Sequence, residues 1–204
     1  MSAQVLSVSL PSEIIYVSGT VNGTAYTWTL IEGAWTATVE RAADDTYAVA
    51  LTAVTAAGVS TNYALTLYYG LLSLITDRTR ADVENETDKG FYNASDLNRV
   101  GAAVEYIAGR FAALGYDCPV TVKKDWLTSD APTASQLETY RQNIITLRGQ
   151  IAVMQSTPEA PASMAGLNYV KANNIEQILL DLDALIDKLI KSCGFSGELY
   201  AGEV

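Results

Sequence analysis

Histidine is absent from this 204-residue chain, and that absence removes more chemistry than any residue present supplies. Without imidazole there is no Ser-His-Asp or Cys-His nucleophile, and most zinc sites are excluded as well. Cysteine is nearly absent: Cys118 and Cys193 stand far apart with no CxxC pair. They can form one disulfide or remain two isolated buried thiols, and the spacing favours the thiols. Cations are scarce, with 13 Lys and Arg against 23 Asp and Glu, a formal charge of −10 and a pI near 4.4. Neutralising phosphate needs clustered Lys and Arg, so no nucleic acid and no anionic membrane is expected as a partner. No apolar run reaches membrane-spanning length; the longest, residues 63–75, is short and carries polar residues. A basic segment followed by an apolar one is missing at the N-terminus, so any release from a cell is expected by another route, such as lysis.

What is present reads as folded protein. The hydrophobic fraction is 49% and mean hydropathy is +0.12, high enough to expect apolar surface covered by a partner. The period of that hydrophobicity changes near Gly70. Before it, apolar and polar residues alternate: 5–10, 14–18 (closed by Gly19), 26–30, 35–39, 47–51 and a last run through Tyr63, Leu65, Leu67 and Tyr69. Turns fall at Asn22-Gly23, Glu32-Gly33, Asp44-Asp45 and Gly58. Six or seven short strands at this spacing predict a β-sandwich, with Trp28, Trp35 and Tyr47 in its core. Asp44 and Asp45 are read as a solvated turn rather than a calcium site.

After Gly70 apolar residues recur every three or four positions. A short helix is expected from Thr76-Asp77-Arg78-Thr79 to about Gly90. A second follows the Asn93 cap, with Leu97, Val100, Val104, Ile107, Phe111 and Leu114 on one stripe, stopped by Gly115. Thr133 and Gln136 form a capping box for a third, with Leu137, Tyr140, Ile144, Leu147 and Ile151. The last carries Leu167 to Leu189 and ends near Ser192. These amphipathic helices can bury a common core as a bundle. Asparagine is a poor helix-interior residue unless its amide is used. Asn98 and Arg99, with Asn173, Asn174 and Glu176, are therefore expected to form an interhelical structural network, Arg99 pairing Glu176 or the amides. The tail holds Phe195, Leu199, Tyr200 and Val204 between glycines, the composition of an arm laid on a partner surface. The expected layout is α+β: an all-β sandwich over 1–70, a helical bundle over 71–192 and an arm over 193–204.

Two resemblances add to this reading. Val17-Ser18-Gly19-Thr20-Val21, the Trp35 strand and Asp44-Asp45-Thr46-Tyr47 resemble small bacterial and phage immunoglobulin-like modules. In the second half the carrying segments are Leu74-Ile75-Thr76-Asp77-Arg78-Thr79, Ala81-Asp82-Val83, the run 92–100, Lys124-Asp125-Trp126, the run 172–179 and the run 196–203. Together these are similar to a family of mostly uncharacterised structural proteins encoded among tail and baseplate genes of phages and prophages of Gram-positive gut bacteria. Relatives carry a longer insert after the first short helix, where residues 84–90 are compact here. The resemblance implies a virion component made in the host cytoplasm, with other virion proteins and copies of itself as partners. It implies no cofactor, no metal and no catalytic residue. A tail, baseplate or fibre adaptor is the leading expectation. Head decoration, or a carbohydrate-binding module holding host surface glycan, is the alternative. A hydrolase using Asp125 and Asp130 lacks a supporting constellation.

Overall fold

The computed structural model describes residues 3–42, 46–69 and 74–196. The Asp44-Asp45 turn, the junction at Gly70 and the arm residues Leu199, Tyr200 and Val204 lie outside the described residues. An α+β layout is observed: two antiparallel sheets followed by helices. The chain divides into two compact units, each assembled from three pieces. The first is Met1–Leu72, Tyr92–Ala103 and Lys123–Pro132; the second is Ser73–Phe91, Val104–Val122 and Thr133–Val204.

The first unit holds β1 (Ala3–Val8), β2 (Ile14–Val21), β3 (Thr24–Thr27), β4 (Thr29–Ile31), β5 (Ala34–Glu40), β6 (Thr46–Thr55) and β7 (Ser60–Tyr68). They form a three-stranded sheet ordered β1-β5-β4 and a four-stranded sheet ordered β3-β2-β6-β7. Two-residue turns set the register of two hairpins. Asn22 and Gly23 (φ 49° and 80°) join β2 to β3, and Glu32 and Gly33 (φ 50° and 84°) join β4 to β5. Positive φ at both central positions gives the twist that flanking strands need. Before Trp28 the chain pairs with β2, and after it with β5, so this residue marks the passage from one sheet to the other. Alternation turns Leu6, Val8, Trp35, Ala37 and Val39 from one sheet, and Val17, Tyr47, Val49, Leu51 and Leu67 from the other, into one core cluster with Trp28 and Leu127. Strand β2 does not close at Gly19, as the sequence suggested, but continues to Val21. A Cβ at Gly19 would lie 2.2 Å from the Ala50 carbonyl oxygen, so glycine here permits a close backbone approach within the sheet.

In the second unit, helix α1 (Arg80–Glu84) starts later than expected, because residues 76–78 are not helical and Thr79 is the true N-cap. Its hydroxyl accepts from the Asp82 N–H while the Asp82 carboxylate takes the Thr79 N–H. Helix α2 (Ala94–Ala113) supplies its 104–113 half, with Val104, Ile107 and Phe111 buried. Helix α3 (Ala134–Arg148) has the expected Thr133 and Gln136 capping box and stops before Ile151. Helix α4 (Tyr169–Ser196) passes the expected end at Ser192, so the Phe195 backbone is helical, while its side chain and that of Cys193 lie outside the description. Ile144 and Leu147 of α3 and Ile175, Ile178, Leu179, Leu182 and Ile186 of α4 are fully buried, and α3 packs against α4. Arg110 of α2 ion-pairs with Asp183 and Asp187 of α4. Cys118 is a free thiol and only half-buried, contrary to the buried thiol expected; partial burial, and then the Asp117 charge, push it above its ordinary value.

Candidate functional site

Three helix asparagines perform the same task. The Asn98 side chain accepts from the Trp126 N–H at 2.7 Å and donates to the Trp126 carbonyl at 3.0 Å and the Thr66 carbonyl of β7 at 3.2 Å. Asn143 accepts from Thr121 N–H (3.1 Å) and donates to the Thr121 carbonyl (2.7 Å). Asn173 does the same with Arg78, at 3.1 and 2.9 Å. Arg78, Thr121 and Trp126 all lie outside helix and sheet, where backbone groups have no ladder to satisfy them. A carboxamide presents one acceptor and a donor side by side, the complement of a peptide's N–H and C=O. The amides of Asn98 and Asn173 are thus used as the sequence argued, but on non-helical backbone rather than between helices. Asn174 is half-buried, and its side chain makes no hydrogen bond among the described residues. Asn143, inside α3, carries the same signal in sequence, an asparagine in a helix interior.

Glu176, fully buried, completes the Asn173 clamp in the second unit. One carboxylate oxygen accepts from the Ile75 N–H at 2.6 Å and the other from the Arg78 guanidinium at 2.8 Å, while Arg78 also donates to the Ile75 carbonyl at 2.7 Å. Arg78 is 3% exposed and was not among the network residues read from sequence. In the first unit Arg99 pairs at 2.6 Å with Asp96 one turn earlier, and Asp96 also accepts from the Asn93 N–H at the start of α2. Asp125 accepts from the Ser9 N–H and pairs at 2.8 Å with Lys123. Burial pushes its carboxyl up, but Lys123 and Ser9 outweigh that and hold it below the ordinary 3.8. Asp130 accepts from the Leu127 N–H.

A groove of about 530 Å³ opens on the outer face of the four-stranded sheet. Its floor is Thr20, Ala48, Ala50, Ala64 and Thr66, adjacent rows of the β2-β6-β7 register. Its wall is the start of α2, with Asn93, Ser95 and Asn98, together with Trp126 and Thr128. None of the described residues lining it is charged, and strands β2, β3, β6 and β7 contain no charged residue. Asn93 already caps α2 through Ser95 and Asp96, and Asn98 is committed to backbone. The hydroxyls of Thr20, Thr66 and Thr128 make no hydrogen bond among the described residues. Among the described residues no group of His, Cys, Asp and Glu is placed to hold a metal ion, and no helix is long and apolar enough to cross a membrane.

An α+β chain with an uncharged groove on one sheet is the class these observations define. No protein-family model, curated protein or solved structure matches it.

Proposed function

We propose that the chain is a structural component of a phage or phage-like particle, an adaptor of the tail, baseplate or fibre apparatus. In this reading the first unit carries an immunoglobulin-like sandwich that projects. The helices act as a bundle that anchors to the particle with the arm residues Phe195, Leu199, Tyr200 and Val204. The observation that carries the reading is where the family-like segments fall. Leu74 to Thr79 holds Ile75 and Arg78; the run 92–100 holds Asn93, Asp96 and Asn98; Lys124 to Trp126 and the run 172–179 hold Trp126, Asn173 and Glu176. The residues in these segments are those that pin non-helical backbone to helices, and that placement is what supports the reading. The sandwich departs from immunoglobulin order at β2, which lies between β3 and β6 while β1 pairs directly with β5; that order puts the second strand between the first and the fifth. Partners in this reading are other virion proteins and further copies of the chain, with cyclic symmetry.

Mass spectrometry and antibody-gold electron microscopy on particles purified from a lysate of the source test this. Stoichiometric protein with gold at the tail end is expected. Gold over the head would replace the tail assignment by head decoration. Absence from particles would overturn the virion reading. A second reading, a module that holds surface glycan, is favoured by the uncharged groove.

A further inference from the structure

We propose that the groove on the four-stranded sheet binds a neutral carbohydrate chain, whatever particle or surface the protein belongs to. Its size falls within the range of about 300–1,000 Å³ usual for small-molecule clefts. The methyl floor of Ala48, Ala50 and Ala64 is apolar and shallow, suited to the C–H face of a sugar ring. Thr20 and Thr66 on the floor and Thr128 on the wall carry hydroxyls that make no hydrogen bond among the described residues, able both to donate and to accept. A sugar hydroxyl suits that dual partner; an anion would meet no lysine or arginine here, and the N-terminus of α2 is already capped by Asn93 with the Asp96 carboxylate in its first turn. The face beyond the groove stays uncharged, since Ser18, Thr52 and Asn62 occupy the next register row, with the Thr52 hydroxyl donating to the Asn62 side chain, and half-exposed Tyr16 the one after. An extended chain therefore has a strip of neutral hydroxyls with an aromatic ring at its far end. Asn98 and Asn93 shape the wall rather than bind, because their side chains are already committed.

The test is amide-detected NMR of the full chain titrated with neutral trisaccharides built from glucose, galactose and N-acetylglucosamine, with a sialylated trisaccharide as the charged comparison. Saturable shifts confined to Thr20, Ala48, Ala50, Ala64, Thr66 and Thr128, the same at low and high salt, are expected for at least one neutral sugar. Ala50→Glu places a charge on the exposed floor without touching the core and should weaken that binding about ten-fold or more, while Thr38→Glu on the other sheet's outer face should leave it unchanged. No shift with any neutral sugar at millimolar concentration overturns the proposal. So does equal binding of the sialylated sugar. Shifts in these residues that follow protein concentration without sugar also overturn it, and assign the face to a second copy of the chain.

Discussion

Taking away a single carboxamide leaves peptide groups buried with nothing to replace it. Asn98 serves three backbone groups, and each orphaned group costs about 1–3 kcal/mol. Asn98→Ala is therefore expected to lower stability by about 3 kcal/mol in urea unfolding, while Asn174→Ala, which loses no hydrogen bond among the described residues, should stay within about 0.5 kcal/mol. Arg78→Ala strands the fully buried Glu176 carboxylate and should cost about 3–5 kcal/mol. Equal effects at Asn98 and Asn174 would refute the clamp. Asp125 adds a pH signature. Its carboxyl is held below 3.8, so its contribution is complete above the ordinary carboxylate range and is lost as pH falls through the depressed folded value. The stability gap between the wild type and Asp125→Asn should be widest near neutrality and close in acid; a gap that widens in acid would reverse the assignment.

Among elements, the hairpins and caps were legible and the exceptions have physical causes. Asn22-Gly23 and Glu32-Gly33 announce themselves because positive φ leaves few residue choices, and Thr133 with Gln136 because a capping box is local. Gly19 misled for the opposite reason: glycine usually weakens a strand, and only the approach of β6 explains its place in mid-strand. Gly19→Ala should destabilise the first unit by about 1–3 kcal/mol, read as a lower thermal midpoint, since the contact is backbone and cannot swing aside. The start of α1 misled because Thr76 and Thr79 are both plausible caps; the choice falls on Thr79, whose Asp82 partner sits three residues on. Arg78 was invisible as a clamp residue because its partners lie 95 and 98 positions away. The groove was invisible for a similar reason. Its alanines and threonines carry no signal singly, and only register sets them side by side.

For the whole molecule, charge is unevenly shared. Glu13, Glu32, Glu40, Arg41, Asp44 and Asp45 are the only charged residues before Asp77, so most charged side chains of either sign sit beyond the strands. The first unit needs later sequence to complete it: Leu127 belongs to the core cluster of the sheets, and Asn98 occupies the Thr66 carbonyl at the β7 edge. Residues 1–72 expressed alone are accordingly expected to unfold without a sharp transition or to aggregate, and a cooperative melt at the full chain's midpoint would contradict this.

That division into alternating pieces also sets a timetable. On a translating ribosome the strands are finished at residue 72, yet the last piece of their unit ends only at Pro132. At about 5–20 residues per second, the sheets wait roughly 3–12 seconds for it. A long, uncharged edge strand is a sticky thing to leave open for that interval, and many copies made on one messenger would emerge side by side. The nascent chain is therefore the state in which that edge stays uncovered longest.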